Sequence, residues 1–357
     1  TFAGLYWGES VPVAFQLQGE TAQLAADYLL CILPVVPMMM LQTVGIACLR
    51  GAGDMVSGLV IMTIVNVVNV AVSWSLALGL GPLPALGWRG IALGTAAGFV
   101  VGGTLVVALL VRGRWGLRFQ WRRLRPNAGT IRRLLRIGLP GGADMLSIIG
   151  CQLWFIALIN RLGTLAVAAH GVALCVESIA FLPGSAFQMA ATTMVGQMLG
   201  AADPKRAARS AMTALLCGGG FIVLVGAVLY PNALFLAHLF VRTEHGHVAV
   251  SAAPLLRTVS LAMPALAVTM ILSGALRGAG DTRWPLLFSL IGFLGVRIPL
   301  TYFLTQEAVY LPLANMTVAG GDMGVVGAWY AMSADLHVRA LLTAIRFFHG
   351  GWKRVEV

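Results

Sequence analysis

Charge is what this sequence has least of. Only 10% of its 357 residues are Asp, Glu, Lys or Arg, against 59% hydrophobic, whereas soluble domains carry roughly 25% charge. The mean hydropathy is +0.87, and a soluble fold is excluded. The scarcity is patterned: residues 55–88, 90–111, 210–241 and 258–276 carry no charge at all. Each such run reaches or exceeds the ~20 residues that cross a bilayer as a helix. Membrane barrels, built from ~10-residue alternating strands, do not fit these lengths. Cysteines are few and scattered, at Cys31, Cys48, Cys151, Cys175 and Cys217, with no CxxC and no cluster of histidines. That excludes a disulfide framework and a zinc site, and leaves no metal to assign. An initiator methionine and a signal peptide are also missing, since the chain opens on Thr1-Phe2-Ala3-Gly4; it reads as the middle of something, and a truncated front is expected.

What is present is a repeat. Leu49-Arg50-Gly51-Ala52-Gly53-Asp54 recurs letter for letter as Leu276-Arg277-Gly278-Ala279-Gly280-Asp281, 227 positions later. At the same offset Pro37 falls on Pro264 and Ala25-Ala26 on Ala252-Ala253. One helix is therefore written twice: about twenty apolar residues, a proline in the middle, then a stop where glycines end the helix and charges cannot enter lipid. A phosphate-cradling loop is a poor alternative, because the stretch follows a helix and lacks the GK[ST] ending. A second marker, Gly87-x-x-Gly90 against Gly324-x-x-Gly327, repeats at an offset of 237, so the second half carries about ten extra residues in an outer loop.

The hydrophobic runs and breakers predict helices at about Thr21 to Leu49, bent near Pro34 and Pro37, then Val56 to Leu80 and Trp88 to Val111. After a basic stretch they continue at Ile131 to Asn160, Thr164 to Leu199, Pro204 to Tyr230, Val248 to Leu276, Arg283 to Leu304 and Met323 to Phe347. Thr1 to Phe15 reads as the outer end of an earlier helix. The helix from Thr164, at roughly 54 Å against ~30 Å of hydrocarbon, is expected to tilt, bend at Pro183-Gly184 or project from the membrane. The predicted fold is an all-α polytopic membrane protein of two pseudo-symmetric helix bundles, with about nine spans and a stub. Residues 1–111 form a partial first lobe, 112–130 a linker and 131–357 a complete six-helix lobe. Roughly two and a half helices are expected to be missing from the front.

The net charge of +11 would suit nucleic acid if the basic residues formed one soluble patch, but they collect in alternate loops. Arg112 to Arg136 holds nine arginines. Together with Arg50, Lys205, Arg206, Arg209, Arg277, Arg283, Arg346, Lys353 and Arg354 it puts 18 of the 24 basic residues on one side. The positive-inside rule makes that side, with the linker and C-terminus, cytoplasmic. A lipid bilayer is the expected partner and nucleic acid is not.

Two bundles joined by a basic linker, each carrying LRGxGD, resemble the multidrug and toxic compound extrusion family. Arg136-Ile-Gly-Leu-Pro140, Glu177-Ser-Ile-Ala-Phe-Leu-Pro183-Gly184, Val195-Gly-Gln-Met-Leu-Gly-Ala201 and Gly351-Trp352-Lys353 extend the resemblance over essentially the whole chain. It implies a secondary antiporter, monomeric and resident in the inner membrane. Such a protein expels cationic or amphipathic compounds in exchange for Na⁺ or H⁺, with no other cofactor, through a central cavity that alternates its access. Two departures stand out: the family's opening helices and any coupling acid on them are absent, and a glutamate that one branch carries two turns beyond the proline is replaced by Ile148.

Ionisable groups inside a membrane cost about 2.5 to 3.5 kcal/mol each on insertion scales, and so are functional candidates. Asp144 lies one turn after Pro140 with Ser147, Cys151 and Gln152 on its face; it is either a cation or proton site or a polar tie between helices. Glu177 shares a stripe with His170, Ser185, Gln188 and Thr192, which suggests a cavity wall. Asn66, Asn69 and Ser73 form a similar face in the first half, as binding groups or as interhelical glue. Arg297, mid-helix before Pro299, needs an anion: it either forms a structural ion pair, with Glu177 or Asp144 the expected partner, or acts directly in substrate or ion binding. Asp335 and Arg339, at i and i+4, are expected to pair with each other. Met38-Met39-Met40 could form an adaptable drug-binding surface or plain packing. A lipid-linked precursor flippase of the same superfamily would need a more cationic cavity than Arg297 alone provides. A membrane-embedded enzyme would need HExxH, GxSxG or paired carboxylates, none of which appears.

Overall fold

The computed structural model describes residues 20–80, 84–113, 127–241, 246–311 and 316–354. They fall into two compact units, one within residues 1–125 and one from Pro126 to Val357. The stub expected at Thr1 to Phe15 and linker residues 114–126 lie outside the described residues.

The first unit contains α1 (Glu20–Ile32), a 3-10 turn (Leu33–Val35), α2 (Val36–Gly51), α3 (Met55–Leu78) and α4 (Trp88–Arg112). The bend expected near Pro34 is this turn, where proline withholds a backbone donor. α2 ends as the repeat requires: Gly53 adopts φ +95°, a conformation that costs an L-residue its Cβ clearance. Asp54 then caps α3, its Oδ1 accepting from the Ser57 N–H at 2.9 Å. α4 runs along α3 on Gly90, Gly94, Gly98 and Gly102. A Cβ on these would press into Leu76 and Ala77, Ser73, Val65 and Asn69, and Gln42 and Val65 respectively. The four-residue spacing of small side chains is the close-packing pattern of membrane helices, and Ile46, Leu49, Ile61, Val65 and Val106 fill the core beside it.

The second unit begins with α5 (Ala128–Arg161), capped by Asn127 through the Gly129 N–H at 2.9 Å. α6 (Thr164–Gly200) stays helical for 37 residues straight through Pro183. Then follow α7 (Pro204–Ala214), a π-helical segment (Leu215–Gly219), α8 (Gly220–Leu229), α9 (Ala233–Phe240) and α10 (Gly246–Gly278). The next span is α11 (Arg283–Leu290), a second π segment (Ile291–Arg297) and α12 (Ile298–Thr305), and the last is α13 (Gly324–His349) with a 3-10 turn (Gly351–Arg354). α10 is the axis of this unit: Leu255, Leu256, Val259, Met263, Leu266 and Met270 are buried among residues of α5, α6, α8, α9 and α13. Trp352, wholly buried, closes one end by donating its Nε1–H to the Phe347 carbonyl at 2.8 Å and stacking on that ring at 5.2 Å.

Eight of the described helical segments are long and apolar enough to cross a membrane. The ninth expected span, α13, has the length but carries Asp335, Arg339 and Arg346. Within this all-α architecture the stretch Gln306 to Asp322, expected as an outer loop, contains a two-stranded antiparallel hairpin, β1 (Ala308–Leu311) and β2 (Met316–Ala319). A two-strand hairpin satisfies its own backbone groups where there is no neighbouring helix turn to do so.

Candidate functional site

Chemistry in the second unit centres on a buried carboxylate. Asp335 lies mid-way along α13 and is 0% exposed. Arg339, one turn later, clamps it from the same helix, Nε on Oδ1 and Nη2 on Oδ2, both at 2.9 Å. This is the pair expected at i and i+4. A second guanidinium arrives from the neighbouring span: Arg297 Nη2 sits 2.8 Å from Asp335 Oδ2. Arg297 closes the π segment, whose surplus residue per turn is a common device at functional sites. Gly292, in the same segment, makes room for the pair, because a Cβ there would overlap Asp335 Oδ1 and the Arg339 stem. The guanidiniums lie against aromatic faces, Arg297 at 5.7 Å from the Phe155 ring and 5.2 Å from Phe293, and Arg339 at 4.7 Å from Phe293. Such contacts offset part of the desolvation that two buried cations suffer. Cys151, on α5, is buried as well.

The expected partner of Arg297 is thereby corrected. It pairs with Asp335, not with Asp144 or Glu177, because α13 packs against the π segment that carries it. Asp144 is 1% exposed and is held by Arg277 of the second repeated motif, Nη2 to Oδ2 at 2.5 Å. Asp144 and Arg277 thereby link α5 to α10, while Asp144 Oδ1 is buried without a partner among the described residues.

Glu177 differs from every other acid described within a helical span. Asp27 pairs with Arg89, Asp144 with Arg277, and Asp335 with Arg297 and Arg339. Glu177, half-buried on α6, carries neither a hydrogen bond nor an ion pair among the described residues. The stripe that suggested a cavity wall is divided by the fold. His170 is buried between the Phe155 and Trp329 rings at 5.7 and 5.6 Å, with neither ring nitrogen bonded among the described residues. Ser185 turns to its own helix at the Leu182 carbonyl. Gln188 and Thr192 form the seam with α10, where Thr192 Oγ1 donates to the Gly274 carbonyl at 2.8 Å and the Gln188 backbone lies against Gly274.

Gln152, half-buried, is the neighbour of Cys151 on α5. In the first unit Asn69 donates from Nδ2 to Thr95 Oγ1 at 3.2 Å and Ser73 from Oγ to the Ile91 carbonyl at 3.5 Å, so this face ties α3 to α4; Asn66 is exposed. Met38 packs its backbone against Gly103, while Met40 is exposed. Sequence reasoning did not single out Gly292 or the role of Arg277. The signal for both was an arginine or glycine in an apolar span facing an acid on another helix, a pairing that no spacing along one chain segment encodes.

A model of the MatE family matches residues 1–75 and 140–303. The chain belongs to the multidrug and toxic compound extrusion family. Among relatives, it is 26% identical over 343 residues to a probable multidrug resistance protein NorM of Thermotoga maritima, covering 96% of this chain and 70% of that protein. It is 31% identical over 287 residues to a multidrug resistance protein NorM of Burkholderia vietnamiensis, covering 78% of this chain and 58% of that one. In fold it matches a MATE crystal structure in complex with MaL6 at a TM-score of 0.85 and 20% identity, over 98% of this chain and 75% of the other. It also matches a transporter of the MOP superfamily from Pyrococcus furiosus, described as having a binding pocket of reverse polarity, at 0.86 and 19% identity, over 99% and 75%. As a MATE protein it is a multi-pass membrane transporter and not an enzyme.

Proposed function

We propose that this MATE protein exports cationic or amphipathic small molecules by antiport against Na⁺ or H⁺, with Glu177 as the group that takes the coupling cation. The relatives' designation as multidrug resistance proteins supports the substrate class. One observation carries the role of Glu177: it is the acid in a helical span that no described arginine or hydrogen-bond donor satisfies, while its counterparts are paired. A carboxylate desolvated and unpaired in a membrane has high affinity for a proton or a small cation. Alternating exposure of that site to the two sides of the membrane would convert a cation gradient into export. The concentration of Lys and Arg in alternate loops supports a cytoplasmic linker and C-terminus.

The flippase reading is disfavoured by the state of the arginines. Arg297 and Arg339 are 7% and 11% exposed and both are engaged by Asp335, so they are not available to a polyanionic headgroup.

The test is transport of a fluorescent cation into or out of vesicles containing the full chain under an imposed Na⁺ or H⁺ gradient. Glu177→Gln is expected to abolish the dependence on the gradient, and Asp144→Asn in whatever protein folds is expected to keep it. Gradient-driven transport undiminished in Glu177→Gln overturns the role of Glu177; no response of the unaltered protein to either gradient overturns antiport.

A further inference from the structure

We propose that the first turns of α5, together with the start of α11, bind the headgroup of an anionic phospholipid, whose phosphate is taken by Arg132, Arg136 and Arg283. α5 is too long for the membrane it crosses: its 34 residues, at 1.5 Å each, reach roughly 51 Å against about 30 Å of hydrocarbon. The surplus lies at its beginning. Asp144 is held by Arg277, and Arg277 directly follows the charge-free run 258–276 of α10, so the residues before Asp144 sit at or beyond the level where hydrocarbon ends.

That surplus segment is amphipathic, and both of its faces are open. Ile131, Leu134, Leu135 and Leu139 are exposed, Leu139 by 72%, and so are Arg132, Arg133 and Arg136. At 3.6 residues per turn the two sets are centred roughly 130° apart around the helix. The apolar set continues along the span as Leu146, Ile149 and Leu153, also exposed, so one lipid-facing stripe runs from the span up to Ile131. A helix with such a stripe and a basic flank lies along the interface, its arginines reaching to the level of the headgroups.

α11 supplies the other wall. It packs on α5, and Thr282 Oγ1, just before its first turn, donates to the Ile137 carbonyl at 3.3 Å. Arg136 and Arg283 are the chain neighbours of the two ends of that bond, and both are exposed. Trp284 follows, half-buried against Arg346, whose guanidinium lies 4.9 Å from its ring; indoles at headgroup level anchor membrane proteins. Among the described residues, Arg132, Arg136 and Arg283 make no hydrogen bond or ion pair. The acids at this end are engaged elsewhere: Asp144 by Arg277, Asp203 by Arg206 and Asp281 by Arg346. Charge complementarity therefore selects an anion, and guanidinium forks match the paired oxygens of a phosphate. The leucine stripe beside them selects an anion that carries acyl chains.

The decisive experiment titrates the purified full chain in detergent with phosphatidylglycerol, and separately with phosphatidylcholine of the same acyl chains, counting bound lipids by native mass spectrometry. Phosphatidylglycerol is expected to bind about tenfold tighter or more, and Arg132→Gln, Arg136→Gln and Arg283→Gln are each expected to weaken it about fivefold. Phosphatidylcholine should be unaffected by these variants, and the triple variant should hold the two lipids alike. Lys205→Gln with Arg209→Gln removes two exposed cations of α7 and should leave the preference in place. Equal affinity of the unaltered protein for both lipids overturns the proposal, as does a triple variant that keeps the preference. An equal loss in the α7 variant also overturns it, by showing that overall charge and not this corner attracts the lipid. Leu134→Ser with Leu135→Ser should weaken both lipids; no effect on either removes the apolar stripe from the site. Displacement of phosphatidylglycerol by inorganic phosphate at equal concentration would make this a free-anion site and overturn the lipid assignment.

Discussion

The two copies of Leu-Arg-Gly-Ala-Gly-Asp are identical as text and different as structure. In both, the second glycine takes a positive φ, +95° at Gly53 and +80° at Gly280, and ends the helix. The backbone turns also match, Asp54 N–H on the Leu49 carbonyl and Asp281 N–H on the Leu276 carbonyl at 2.9 Å each, but the side chains around them diverge. A Cβ on Gly51 would meet nothing within 4 Å, whereas one on Gly278 would collide with the Thr192 backbone of α6. Asp54 caps the next helix, while Asp281 receives Arg346 Nε and Nη2 at 3.0 and 2.7 Å. The apolar window of the span ending at Gly51 is 17% buried within the described structure, and that of α10 is 83% buried. One sequence serves as a turn in the first unit and as a packing joint in the second, where α6, α13 and α5 close around it.

The comparison is sharpened most by Gly278→Val against Gly51→Val. The first forces side-chain atoms into the backbone of a neighbouring helix and should abolish recovery of folded protein. The second should leave thermal stability within about 1 kcal/mol, the cost of a branched residue in a helix; melting of detergent-purified protein reads both. Next, Arg277→Ala strands the 1%-exposed Asp144 carboxylate and should cost about 3 to 5 kcal/mol, with Asp144→Asn in the same background recovering a large part. Failure of that recovery would mean Arg277 matters for something other than Asp144. Asp281→Ala, which frees Arg346, should cost about 2 to 3 kcal/mol; a loss under about 1 kcal/mol would contradict its role as a packing joint. Gly53→Ala and Gly280→Ala share the positive-φ strain and should each cost about 1 to 2 kcal/mol, alike in both copies. The smallest effect belongs to Asn69→Ala, which removes one interhelical hydrogen bond worth about 0.6 kcal/mol in a membrane.

The helices were legible because hydrophobic runs in a membrane chain are long, uninterrupted and bounded by charge. The expected limits of α3, Val56 to Leu80, meet Met55–Leu78, and those of α6, Thr164 to Leu199, meet Thr164–Gly200. Asp335 with Arg339 was legible too, since a helix places i and i+4 side by side. The partner of Arg297 was not, because sequence offered Glu177 or Asp144, and only the packing of α13 against the π segment selects Asp335. The surroundings of the stripe through Glu177 were not legible for a related reason: residues on one face of a 37-residue helix meet different neighbours along its length, so His170, Glu177 and Thr192 share a face but not an environment.

Composition and periodicity by themselves determined that this chain is a multi-pass helical membrane protein with an internal repeat, because burial in lipid acts on each span separately and leaves its mark in that span alone. Which charges neutralise each other, which acid is left unpaired, and which of two identical glycines is indispensable were decided only by the tertiary structure. Those properties depend on distances between helices, and in a membrane any apolar helix face can accept any other until close packing and buried charge choose one arrangement.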